Sequence, residues 1–272
     1  MVFKAFVDRE YRRKGIINRL EQLAEDLATH EGAILMYTLI IEDNLPAMRC
    51  LEQRGFSLHR KLLVTGLPVY KKMAVPDKAD VRPAVPQHLP AVAEILNATW
   101  QGFEMYEPTS AEALKQFVSR TPGYNFDNLL VLLDGDEVQA SLGYWDWRKI
   151  IRVRVAALSL KIRLIGLIVR AAGIFRPMPE SLKPGDLLNQ IILSPIGFKD
   201  PAHFAILLRH VNNCALQMGI KQIFCIGDSD RKMLKRMRGF IRVNTIHNLY
   251  VKALKQDGLR SDKPVYLDGI DL

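Results

Sequence analysis

Apolar residues alternate through Val2–Val7 (VFKAFV), where Phe3, Ala5 and Val7 share one side, and predict a short strand. From Ile16 the spacing becomes helical. Ile16, Leu20, Leu23 and Leu27, flanked by Ile17, Ala24 and Ala28, predict an amphipathic helix ending near Gly32. Ala33–Ile41 (AILMYTLII) is apolar throughout, as in a strand covered on both faces. NLPAMRCLEQRGF carries Pro46 in the first turn of a short helix and Gly55 beyond its end. SLHRKLLV and LPVYKKMAV, joined at Thr65-Gly66, predict a hairpin. The order so far is β-α-β-α-β-β, followed by the polar, proline-marked linker PDKADVRP.

A second series begins at Asp80. VRPAV predicts a brief strand, PQHLPAVAEILNATW an amphipathic helix, and SAEALKQFVSR another helix. NLLVLLDGDEVQASLGYWDW is a strand, an Asp-Gly-Asp turn and a strand, the strongest hairpin signal in the chain. After an insertion, DLLNQIILS predicts a strand, AHFAILLRHVNNCALQMG a helix and IKQIFCIG a strand. SDRKMLKRMRGF predicts a helix, and IRVNTIHNLYVKAL a closing strand. The two series repeat. Arg54-Gly55-Phe56 and Arg238-Gly239-Phe240 each follow a short helix and precede a strand, and each lies downstream of strand, long helix, glycine and apolar strand. A repeat on this scale predicts tandem domains of one fold: residues 1–76, and residues 79–272 with an insertion at about 150–185. The fold class is α/β (α+β), with mixed, mostly antiparallel sheets flanked by helices.

Composition narrows the class. With 49% hydrophobic and 25% charged residues, the chain reads as a folded soluble protein. Its net charge of +9 favours anionic partners. Cys50, Cys214 and Cys225 have no metal-ligand spacing, and their odd number precludes full pairing, which points to a reducing compartment. Met1 leads into VFKAFVDREY with no apolar signal core, so the expected location is cytoplasmic. The six histidines show no paired metal spacing, and no metal is expected. Trp145 and Trp147, on one side of a strand, read as packing. Nucleic-acid binding rests on net charge alone and is not expected.

Charge placement then raises a question. Arg12, Arg13 and Lys14 crowd against Gly15 where a helix begins, although a helix N-terminus already carries partial positive charge. An anion bound at that end would remove the conflict.

With these residues, the first series resembles the GNAT superfamily of acyl-CoA-dependent N-acetyltransferases. The resemblance is carried by a strand ending at Val7, by Arg12-x-x-Gly15-x-Ile17, by Asn44-x-x-Ala47, and by Gly55-Phe56 eleven positions after Asn44. The family's loop reads Arg/Gln-x-x-Gly-x-Gly/Ala, so Ile17 departs from it at the last small residue. The resemblance implies that backbone N–H groups of Arg13, Lys14, Gly15, Ile16 and Ile17 surround the coenzyme A pyrophosphate, and that Arg9, Arg12, Arg13 and Lys14 neutralise it. It implies that Ala5, Phe6 and Val7 lend strand-edge groups to the pantetheine arm and thioester, with Asn44 joining the site. Acetyl-CoA is the implied co-substrate and a primary amine the implied acceptor.

Catalytic residues are left unassigned. Where many relatives place a tyrosine, seven residues after the Asn, stands Leu51. Cys50 reads as a small hydrophobe, Tyr37 as core, and Glu42 and Asp43 as a solvated strand end. The alternative function is a non-catalytic CoA-binding or scaffolding module.

The second series departs further from the pattern. SPIGFKDPAHF stands where its phosphate loop should fall, with Lys199 as the only cation and Asp200 repelling phosphate. Asp228 and Lys235 occupy the Asn and Tyr positions, so this unit is expected to be degenerate. The insertion from Lys149 to Arg176 has seven cations and no acid. A cap over its own domain is the preferred reading, and membrane-surface contact the lesser one. A complete unit begins with a strand, two helices and a strand pair, whereas the first series begins at VFKAF. The expectation is an N-terminally truncated first unit with residues 3–7 as a sheet-edge strand, its exposed edge inviting a homodimer.

Overall fold

The computed structural model describes residues 7–12, 14–158, 160–174, 177–228, 237, 239–255 and 263–271. The N-terminal elements are α1 (Ile16–His30), β1 (Leu35–Ile41), α2 (Leu45–Gln53) and β2 (Ser57–Pro68). After them come β3 (Asp80–Pro83), α3 (Leu89–Trp100), α4 (Ala111–Arg120), β4 (Leu129–Asp134) and β5 (Glu137–Trp145). The chain continues through α5 (Leu160–Ala172), β6 (Gln190–Phe198), α6 (Pro201–Gln217), β7 (Gln222–Asp228) and β8 (Val243–Ala253). The strands form one eight-stranded sheet in the order β1-β8-β2-β7-β6-β5-β4-β3. Every neighbouring pair is antiparallel except β6 and β7. The mixed, mostly antiparallel α/β class is the one the periodicity predicts.

The middle of the sheet is interleaved. β8 lies between β1 and β2, and β2 lies between β8 and β7, so early and late strands alternate. This arrangement explains one correction. Thr65-Gly66 is not a turn; both residues lie inside the single strand β2. Thr65 pairs with Cys225 on one side and Asn244 on the other, and two flanking ladders hold the backbone extended. The absence of a side chain at Gly66 leaves room for the Gln222 side chain and the Phe224 ring of β7. The segment expected as the second hairpin strand is tied to α6, with Asn212 donating to Lys71 O at 2.9 Å and Asn213 to Met73 O at 2.9 Å.

α1 also differs from its expected orientation. Leu20, Leu23 and Leu27 are exposed, and Ile17, Glu21, Ala24, Glu25 and Ala28 are half-buried. Two ion pairs set that rotation: Glu21 with Arg54 at 2.5 Å and Glu25 with Lys252 at 2.6 Å. A helix has two stripes about 100° apart that apolar spacing alone does not separate.

The main core packs α3, α4 and α6 on β4, β5 and β6, with Phe204, Leu207, Leu208 and Val211 buried against Ile191 and Leu193. Trp100 anchors α3 by donating Nε1 to Ile196 O at 2.6 Å. Trp145 Nε1 donates to Pro122 O at 2.8 Å, which makes it a packing residue. A second cluster gathers Leu62, Val64, Ile226, Leu249 and Val251 from three strands with Val265 and Leu267.

The insertion does not cap the core. A short ribbon joins Val153–Val155 to Gly185–Leu188, through Val155 N to Asp186 O at 2.9 Å and Leu188 N to Val153 O at 2.8 Å. Beyond it, α5 leaves Leu160, Leu164, Leu167 and Ile168 exposed, which corrects the expectation of a buried cap. Of the strand predicted at residues 2–7 and expected at the sheet edge over 3–7, only Val7 is described, and it lies in no strand. Of the helix predicted at 229–240, Met237, Gly239 and Phe240 are described and are not helical; the rest of both lies outside the described residues.

Candidate functional site

Just before α1, residues Arg9–Tyr11 form a 3-10 turn in which Tyr11 N donates to Asp8 O at 2.9 Å. Arg12 Nε donates to Val7 O at 3.1 Å, folding the arginine back along the preceding segment. Lys14 Nζ stands 5.0 Å from the centroid of the Tyr11 ring, and Arg9, Arg12 and Lys14 are all exposed. Gly15 is the N-cap of α1 at φ 74°, a left-handed conformation natural to glycine. Among the described residues, no atom beyond its chain neighbours lies within 4 Å of where its Cβ would stand, and no side chain caps the helix there. The first N–H groups of a helix have no partner within it, so they face the open space beside Gly15. Cations and helix dipole therefore act on the same space.

Tethers in the first two turns of α1 fix its direction. Arg54 donates Nη1 to Asn18 O at 3.2 Å and pairs with Glu21. Burial pushes the Glu21 carboxyl up, with Arg54 opposing the shift. Burial likewise pushes the Cys50 thiol up, which keeps it protonated and poorly nucleophilic.

Asn44 is the N-cap of α2, its side-chain oxygen accepting from Ala47 N at 3.4 Å. Leu51 is buried with Phe56 and Tyr250. Tyr250 was reached by no motif; it sits on β8, and its hydroxyl donates to Glu52 at 2.8 Å. Tyr37 is half-buried beside the second apolar cluster. Glu42 is paired with Lys61 at 2.6 Å, and Asp43 is exposed. Arg12, Lys14, Gly15, Ile16 and Ile17 stand at the head of α1, with Val7 tied in through Arg12; Ala5, Phe6 and Arg13 lie outside the described residues.

The corresponding helix end in the later series is built differently. β6 runs through Phe198 and α6 starts at Pro201, so SPIGFKDPAHF is strand and helix except at Lys199 and Asp200. Asp200 caps α6, its carboxylate accepting from Ala202 N at 2.6 Å. A side-chain carboxylate thus already occupies the anion position at that helix. Lys199 is paired with Glu137.

β6 and β7 pair in parallel only from Gln190–Ile192 against Gln222–Phe224, and they part beyond. The opening between them holds residues 263–271, a segment no motif singled out although Val265 and Leu267 alternate in it. Ser194 Oγ donates to Asp268, Val265 N donates to Asp228 at 3.4 Å, and Tyr266 N donates to Glu104 O at 2.9 Å. The Tyr266 ring lies 4.7 Å from that of Trp100. What is left of the opening is a 10 Å³ cavity, about the size of one water.

Residues 2–56 match the model of the Acetyltransferase (GNAT) family. The fold is shared with a GCN5-related N-acetyltransferase from Sphaerobacter thermophilus, at 14% identity and TM-score 0.60, over 94% of this chain and 73% of that one. It is shared with an N-myristoyltransferase from Saccharomyces cerevisiae crystallised with bound myristoyl-CoA, at 9% identity and TM-score 0.59, over 91% of this chain and 57% of that one. A GCN5-related glucosamine N-acetyltransferase region of a fungal multi-domain GH3 β-N-acetylglucosaminidase aligns at 13% identity and TM-score 0.54, over 90% of this chain and 29% of that one. No curated protein sequence matches the chain. The fold is therefore that of the GNAT N-acetyltransferases, and residues 2–56 carry the family's sequence signature.

Proposed function

We propose that the protein is an acyl-CoA-dependent N-acyltransferase that binds its co-substrate at the head of α1 and transfers the acyl group, acetyl in the first instance, to a primary amine. The observation that carries this reading is the contrast between two helix ends. α1 opens on an uncapped left-handed Gly15 among exposed cations, whereas α6 opens on the carboxylate of Asp200. Only the first suits a pyrophosphate. In this reading the N–H groups from Arg13 to Ile17 hold the phosphates, Arg12 and Lys14 balance their charge, and Ala5, Phe6 and Val7 align the pantetheine arm with the help of Asn44. Ile17, larger than the family's small residue, leaves the N–H groups of the first turn available.

The chain is then a tandem of two units, residues 1–76 and 79–272, each lending a strand to the other's half of the sheet. In the second, residues 263–271 fill the space where the two parallel strands part. The acceptor nitrogen must be neutral to attack the thioester, so a lysine-like amine near pKa ~10 has to lose a proton first.

One observation favours a second reading, a CoA-binding module without turnover. Leu51 is packed into an apolar cluster at the position where relatives carry a proton donor. The experiment that separates the readings follows thiol release from acetyl-CoA across a panel of primary amines. Amine-dependent release supports transfer; binding with no release above the uncatalysed rate for any amine supports the module.

A further inference from the structure

The insertion carries an exposed surface that neither helix end explains. On its inner side α5 meets the segment that follows it: Ser181 Oγ donates to Gly166 O at 2.9 Å, and Gly166 and Val169 are half-buried. On the opposite side Leu160, Leu164, Leu167 and Ile168 stand with Ala171, at i, i+4, i+7, i+8 and i+11, an arc of about 100°. The four large residues are 59–77% exposed, and Ile174 just past the helix is 80% exposed. Arg163 and Arg170 run along one border of this arc, one above the other, and both are exposed. At the base, Arg152 and Arg154 are exposed as well, Arg154 donating to Gly185 O at 3.2 Å.

We infer that α5 docks the protein on an anionic phospholipid surface, laying its leucine face into the headgroup boundary with Arg163 and Arg170 on lipid phosphates. Charge complementarity selects this occupant. The stretch from Lys149 to Arg176 has seven cations and no acid, so an apolar face lies inside a wholly cationic segment. The exposed leucines of α1 make the contrast: Leu20, Leu23 and Leu27 are flanked by exposed Arg19 and Asp26, and exposed Glu31 follows directly. That surface is of mixed charge and lacks the all-cationic border of α5. At 13 residues α5 is too short to span a bilayer, and no helix among the described residues is long and apolar enough to do so. The helix lies on the surface rather than through it. The inference does not depend on acyl transfer.

Co-sedimentation with vesicles tests it. The full chain is mixed with vesicles of phosphatidylcholine alone, and with vesicles containing about one third phosphatidylserine. Sedimentation is expected only with the second. Arg163→Glu with Arg170→Glu should weaken it at least about 25-fold, because each cation near such a surface contributes about fivefold. Leu164→Ser, Leu167→Ser and Ile168→Ser together keep every charge and should also abolish it, whereas Leu20→Ser with Leu23→Ser should leave it unchanged. All these side chains are exposed, and unchanged far-UV circular dichroism verifies that the variants fold. Three results would overturn the inference. One is no sedimentation with the anionic vesicles at low salt. Another is unchanged sedimentation of the triple serine variant, which would reduce the effect to net charge. The third is a vesicle-free dimer that the same variant dissociates, which would make a second copy the occupant.

Discussion

Arg60 of β2 donates its Nε to the carboxylate of Asp228 at the end of β7, and Asp228 is 1% exposed. Arg60 belongs to the N-terminal elements and Asp228 to the later ones, so the pair fastens the interleaved part of the sheet. Asp228 also accepts from Val265 N, which ties in the segment filling the β6–β7 opening. Arg60→Ala removes the guanidinium facing a buried carboxylate and should lower unfolding free energy by about 3 kcal/mol. Arg60→Gln with Asp228→Asn, which buries no charge, should cost less. Urea titration checks both, and a loss under about 0.5 kcal/mol for Arg60→Ala, typical of a surface substitution, would contradict the role.

Gly269 sits where no side chain fits. A Cβ there would lie 2.6 Å from Ile192 Cγ2 and 2.8 Å from Leu193 O. Gly269→Val should therefore push residues 263–271 out of the β6–β7 opening, at a cost of about 1–3 kcal/mol. Tyr266 would leave the Trp100 ring, so indole emission should shift to longer wavelength and proteolysis near the C-terminus should accelerate. Unchanged emission together with unchanged proteolysis would show that the segment is not wedged there.

Burial holds the imidazoles of His210 and His247 below their ordinary pKa of 6.5. Unfolded, both take up a proton near 6.5; folded, they resist it. Stability is thus fully present above pH 6.5 and is lost as pH falls below it toward the folded pKa values. The urea midpoint of the wild type minus that of the His210→Gln, His247→Gln variant should become lower from pH 8 to pH 5. A value that rises as pH falls would reverse the sign and refute the assignment.

Much of the later series was legible because its elements are local: the Asp-Gly-Asp turn, the apolar spacing of α3 and α6, and the apolar run of β6. What periodicity did not reveal depends on partners far along the chain. Thr65-Gly66 resembles a turn until β7 and β8 close on either side of it. The leucine stripe of α1 resembles a buried face until Arg54 and Lys252 fix Glu21 and Glu25 inward. At the candidate site, Gly15 and its cations could be read directly, since a glycine between a cationic turn and a helix has a local meaning. The plug at Val265 and Leu267 could not, because its meaning lies in the parting of two strands far away in sequence.

Gly15 offers a graded probe. Among the described residues, Gly15→Ala meets no atom beyond its chain neighbours within 4 Å but must hold a left-handed backbone at a cost of about 1–2 kcal/mol. The loop holds that conformation without ligand, so the strain should lower unfolding free energy by that amount and leave acyl-CoA affinity within a few-fold of wild type. An unchanged stability would show that the left-handed conformation is not held at this position.

The central claim is one acyl-CoA site per chain, at the head of α1. Isothermal titration of acetyl-CoA into the wild type, Gly15→Asp and Lys199→Asp tests it most directly. The account predicts a stoichiometry of one, lost in Gly15→Asp, where a carboxylate is placed among the phosphate contacts, and unchanged in Lys199→Asp. Two sites per chain, or equal weakening by both substitutions, would contradict it.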